Sequence, residues 1–132
     1  MRTIRTAGMA VLGIAMTLGL VVTSSVPAQA VTRMHIYKIQ YNSPGPDNGS
    51  NSSLNAEWVQ LHNRSGSRIS LSGWTLRDNC GCGHVYTFHN YTIRAHGYVK
   101  IHTGRGTNTQ TDRYWGRSWY VWNNTGDRKS VV

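Results

Sequence analysis

From residue 36 onward, apolar side chains recur at every second position in short bursts. Tyr37, Ile39 and Tyr41 share one face of the stretch 36–41, and in 57–63 Val59 and Leu61 oppose Trp58, Gln60 and His62. Ile69 with Leu71, Trp74 with Leu76, Tyr86 with Phe88 and Val99 with Ile101 repeat the period. Successive strand side chains point to opposite faces, so the pattern predicts strands buried on one side, and none of the bursts holds the i, i+3, i+4 spacing of an amphipathic helix. The segments 43–53, 64–67, 79–83, 103–111 and 123–127 are dense in Gly, Asn, Ser and Thr and read as loops. About seven strands in roughly 100 residues predict an all-β, immunoglobulin-like β-sandwich, with alternate residues of two sheets building the core.

The start of the chain follows a different rule. Arg2 and Arg5 precede an apolar run over 9–22, and Ala28, Gln29 and Ala30 place small residues at cleavage positions. This is the tripartite pattern of a cleavable signal peptide, and the run falls short of the roughly 20 residues a spanning helix needs. The expected organisation is a signal segment 1–30 and one domain, 31–132, released to the extracellular space after cleavage near Ala30, with no membrane span in the mature form.

The run Leu71-Ser72-Gly73-Trp74-Thr75-Leu76-Arg77-Asp78 combines a bend at Gly73, inward-pointing Trp74 and Leu76, and an Asp78 placed to cap the next turn. It resembles the L-x-G-W-x-L-x-D signature of the lamin tail domain family. The similarity extends upstream to Ile39-Gln40-Tyr41-Asn42 and to Glu57-Trp58-Val59-Gln60-Leu61-His62-Asn63. Downstream it takes in Val85-Tyr86-Thr87-Phe88, the stretch from Gly97 to Gly104, and Trp122-Asn123-Asn124-Thr125-Gly126-Asp127. The resemblance implies an immunoglobulin-like sandwich with structural roles for Trp58, Gly73, Trp74, Leu76, Asp78, Trp122, Gly126 and Asp127, and no reaction. Gln60 replaces a second Glu common in the family. Members also continue past Gly126-Asp127 into a further strand, whereas this chain reaches Val132, so a truncated last strand and an open sheet edge are expected.

Charge narrows the class of partner. The 14 Lys and Arg less Arg2 and Arg5 leave 12 against five acids, a formal +7 for residues 31–132, and nine of these cations are Arg. Forked guanidinium groups suit phosphate and carboxylate, so an extracellular polyanion, a nucleic acid or an anionic wall polymer, is one expected partner; a merely soluble basic surface is the other reading. Arg113, Arg117, Trp119 and Tyr120 are the candidate contact residues, because aromatic faces and arginines together can hold a polyanion. Strand-mediated association through the open edge, with a second copy or a protein partner, is the alternative function.

Cys80 and Cys82, an even count in an exported protein, form a candidate disulfide. Pairing between chains and a site with His84 for zinc or Cu(I) are the alternatives, the spacing being short for structural zinc. No metal or other cofactor is expected. Neither H-E-x-x-H nor G-x-S-x-G occurs, no catalytic residue is nominated, and a small hydrolase working through Glu57 and Asp78 is the third reading.

Overall fold

The computed structural model describes residues 33–78, 82–122 and, as backbone, 129–131. The signal segment 1–30, Cys80, Gly126 and Asp127 lie outside the described residues. The elements run β1 (Met34–Gln40), α1 (Asn51–Asn55), β2 (Trp58–Asn63), β3 (Ile69–Ser70), β4 (Thr75–Asp78), β5 (Val85–Thr87), β6 (Thr92–Ile93), β7 (Tyr98–His102), β8 (Asp112–Tyr114) and β9 (Lys129–Val131). They form a four-stranded sheet ordered β1-β2-β7-β8, a three-stranded sheet ordered β5-β4-β9, and a ribbon of β3 with β6. Each pair is antiparallel except β7 with β8.

The two-residue period does what it predicts along β2, β4 and β7. Val59, Leu61, Leu76 and Val99 are fully buried and Ile101 nearly so. They meet Leu71, Trp74, Phe88, Tyr91, Ile93 and Trp122 in one core, where each fully buried Leu or Phe contributes about 1.5–3 kcal/mol. Gly73 has φ +87°, the left-handed conformation its bend requires. The bend lets Trp74 N–H donate to Leu71 O at 2.8 Å while Gly73 N–H and Phe88 N–H bond across to Phe88 O and Trp74 O. Trp74 and Leu76 are thereby aimed inward.

The alternation expected for 36–41 fails. Pairing with β2 runs Ile36 to Leu61 and then Lys38 to Gln60, so Tyr37 is the extra residue of a β-bulge. The bulge puts Ile36 and Ile39 on the core side, three residues apart, and leaves Tyr37 48% exposed; Tyr41 lies beyond the strand. The loop expected over 43–53 runs at its end into α1, whose Ser50 cap accepts a hydrogen bond from Ser53 N–H. The C-terminal stub pairs with β4, Leu76 to Val131 through Asp78 to Lys129, so that side of β4 is covered.

Candidate binding surface

The outer face of the four-stranded sheet is made of rings and cations. β2 turns Trp58, Gln60 and His62 outward, and β7 turns Tyr98, Lys100 and His102 the same way. Register places His35 opposite His62 and His62 opposite Tyr98. His62 and Tyr98 stack at 4.1 Å with 4° between planes. Tyr37, swung over by the bulge, meets Tyr98 edge-on at 5.1 Å and His62 at 5.9 Å, and His35 meets His62 at 5.4 Å. Lys100 Nζ sits 4.1 Å over the Trp58 ring, and Lys38 and Arg64 are exposed nearby in sequence. Direct cross-strand neighbours of this kind stabilise the sheet, and the stack also leaves Tyr98 40% exposed.

Electrostatics set the character of each end of this face. Burial holds the His35 imidazole below its ordinary 6.5, and the charges of Arg64 and His62 act in the same direction. At the other end, His102 donates from Nδ1 to Asn55 O at 2.8 Å, its Nε2 lies 2.8 Å from Asp112 Oδ1, and its ring stacks on Tyr114 at 4.9 Å. Burial pushes the Asp112 carboxyl up, but hydrogen bonds from His102 and Thr111 and the charges of His102 and Lys100 outweigh it and hold the group below its ordinary value.

The residues nominated from sequence are dispersed. Arg113 turns inward over the Tyr91 ring at 4.8 Å and donates from Nη1 to Thr109 O, its buried Nε lacking a partner. Burial pushes the Tyr91 phenol up to about 12, against the charges of Arg113 and Arg94. Arg117 is exposed and Trp119 is 59% exposed, its ring lying where a Cβ on Gly49 would stand. Tyr120 is half-buried, its hydroxyl sharing a 2.5 Å hydrogen bond with Ser53 Oγ and accepting from Gly49 N–H. Tyr120 thus fastens the loop before α1, and Arg113 packs on the core; of the four, Arg117 and Trp119 present free surface. The stack of His62 and Tyr98 escaped the sequence reading because its members are scattered in the chain. The available signal was that outward positions of three strands carry rings rather than Ser or Thr.

The remaining candidates serve structure. Glu57 is fully buried and accepts from Thr103 Oγ1 at 2.6 Å, Val121 N–H at 3.0 Å and Trp122 N–H at 3.2 Å. Asp78 is buried and its Oδ2 lies 2.9 Å from His84 Nδ1. The Glu57 oxygens are both engaged by neutral donors, and Asp78 holds His84 through Oδ2 while its buried Oδ1 has no partner among the described residues. Asp78, His84 and Cys82 offer ligand atoms within 4.8 Å of one another, but Cys82 is not a free thiol, so its sulfur is not a thiolate donor. Trp58 lies under Lys100, and Trp74 and Trp122 are core.

No curated protein matches the chain. The family model of the lamin tail domain, a non-enzymatic immunoglobulin-like domain, matches residues 27–131. Its span takes in β1 through β9, the bend at Gly73 and the buried Glu57, and the chain belongs to the lamin tail domain family.

Proposed function

We propose that this chain is an exported, non-catalytic binding module whose partner is an extracellular polyanion, a nucleic acid or an anionic wall polymer, laid across the outer face of β1, β2 and β7. The stacked His62 and Tyr98 rings, bordered by Tyr37 and by Lys38, Arg64 and Lys100, carry this reading. Exposed ring faces stack on bases or sugars with little sequence preference, while cations hold the anionic backbone. The formal +7 of residues 31–132, from 12 cations and five acids, favours encounter with a polyanion. Arg117 and Trp119 supply a further exposed cation and ring. Export rests on the signal pattern of 1–30, and in that oxidising space we assign Cys82 to a bond with Cys80, supported by its lack of a free thiol. Intact mass with and without reductant tests that pairing, a two-dalton gain per chain being the expected result.

Fluorescence anisotropy of a labelled single-stranded oligonucleotide and of a labelled anionic wall polymer tests the binding reading. At least one probe should lose affinity log-linearly as salt rises between about 50 and 200 mM. Binding of neither probe overturns the proposal. The second reading, assembly through a strand edge, draws on the three-residue β9 at the margin of its sheet and predicts association that barely responds to salt.

A further inference from the structure

The β3–β6 ribbon carries a feature that the outer sheet face does not use. Ile69 pairs with Ile93 and Ser70 with Thr92. Arg68 and Arg94 are the residues that flank this ribbon at its Ile69–Ile93 end, and both are exposed. Neither guanidinium meets a carboxylate; the ion pairs among the described residues join His84 to Asp78 and His102 to Asp112. The two arginines border an open cleft of about 790 Å³ whose wall is completed by Gly66, Ser67, Thr92, Ala95 and Gln110, with no acid in its lining.

The backbone beneath this pair is fixed. The Asn63 side chain, fully buried, donates through Nδ2 to Ser67 O at 2.7 Å and to Arg94 O at 2.9 Å. Its Oδ1 accepts from Ser65 N–H at 3.0 Å and from Ser65 Oγ at 2.8 Å. One buried amide thus uses both donors and both acceptor positions to tie together the segments that present Arg68 and Arg94. His96 N–H donates to Ser65 O at 3.0 Å and closes the same junction. Two forked cations lining one cleft, together with Ser67 and Thr92, offer the charge and donors that a tetrahedral oxoanion takes.

We infer that Arg68 and Arg94 form a phosphate-binding cleft at the end of the β3–β6 ribbon. The site goes beyond the sheet-face reading, because it takes a phosphate group whether that group is free or part of a phosphodiester chain.

Titration of the protein with inorganic phosphate, followed by the Nε–Hε NMR signals of its arginines, tests the inference, with chloride at matched ionic strength as the control. Saturable shifts of Arg68 and Arg94 with phosphate alone are expected. Arg68→Gln and Arg94→Gln should each weaken binding about tenfold or more, the loss of a charge-assisted hydrogen bond. Both variants should melt close to wild type in phosphate-free buffer, since each side chain is exposed and in no ion pair among the described residues, so lost binding is not lost folding. A polyglycerol phosphate arm identifies the source: tighter binding than inorganic phosphate assigns the cleft to a polymer's phosphodiester, and equal or weaker binding to free phosphate. Shifts that chloride reproduces, or phosphate binding unchanged in both variants, overturn the inference. Tyr37→Ala should leave the phosphate titration intact while weakening polyanion binding on the sheet, so the two proposals fail separately.

Discussion

Replacing Glu57 with Ala removes one buried acceptor oxygen pair and strands three donors at once: the Thr103 hydroxyl and the N–H groups of Val121 and Trp122. Each donor left buried without an acceptor costs about 1–3 kcal/mol. Part of that sum is returned because a desolvated carboxylate is also removed, which leaves a net cost of roughly 3 kcal/mol or more. For a domain of this size the total stability is roughly 5–15 kcal/mol, so Glu57→Ala should be severely destabilised. Glu57→Gln keeps one carbonyl oxygen for Thr103 and Val121 but sets an amide N–H₂ against Trp122 N–H, for a loss of about 1–3 kcal/mol. The pH dependence adds an independent check. Burial pushes the Glu57 carboxyl above its ordinary 4.5, against hydrogen bonds from Thr103, Val121 and Trp122. A folded-state value above the unfolded one gives a stability contribution that is full below 4.5 and fades as pH rises through the folded value. The gap between wild type and Glu57→Gln should therefore widen on acidification from neutral pH. Denaturant unfolding read by tryptophan fluorescence measures both effects. A Glu57→Ala variant within about 0.5 kcal/mol of wild type, the range of an ordinary surface substitution, or a gap that narrows in acid, refutes this account of the core.

The other predictions concern the sheet face and the bend. Tyr98→Ala should weaken polyanion binding by about 1–3 kcal/mol without changing its salt slope, whereas Lys100→Gln should lower the slope by about one, both read by anisotropy. His35 should titrate below 6.5 in the folded protein, and Arg64→Gln should bring it closer to that value when followed by NMR; because the folded value is depressed, its stability contribution is present above 6.5 and lost as pH falls through the folded value. Gly73→Ala, at φ +87° with open space where the Cβ would stand, should cost about 1–2 kcal/mol in denaturant unfolding from backbone strain alone.

Strand periodicity was readable wherever a strand is paired regularly. Val59 and Leu61 on β2, Trp74 and Leu76 around the Gly73 bend, and Val99 and Ile101 on β7 all face the core as the period of two predicts. β1 misled because a bulge adds one residue and shifts the phase, an event set by pairing with β2 and not by the β1 sequence itself. α1 spans five residues, too few to display a helical period, and is fixed by its Ser50 cap. β8 is three residues, Asp-Arg-Tyr, in a parallel pair with β7, and its sequence carries no apolar alternation. The candidate surface was illegible for a related reason. His35, Tyr37, His62 and Tyr98 come from three strands, and only register shows that they touch. Arg113 and Tyr120 were rightly seen as part of an aromatic and basic segment, but exposure depends on the core ring beneath Arg113 and the loop beneath Tyr120.

The bulge links the sheet face to the competing assembly reading. Counting without Tyr37, β1 reads Met34 in, His35 out, Ile36 in, Lys38 out, Ile39 in, Gln40 out, and its partners run from Asn63 to Trp58 without a break. Deleting Tyr37 should therefore leave every core contact of β1 in register and change stability by less than about 1 kcal/mol. Two properties should change. The edge of the four-stranded sheet becomes a regular six-residue strand without the kink that discourages pairing, so light scattering should show more self-association than in wild type. The ring that crosses from the edge to Tyr98 is also lost, so polyanion binding should weaken in parallel. A deletion variant that unfolds would show that the register is not as described, and one that folds, stays monomeric and binds as wild type would show that the bulge serves neither purpose.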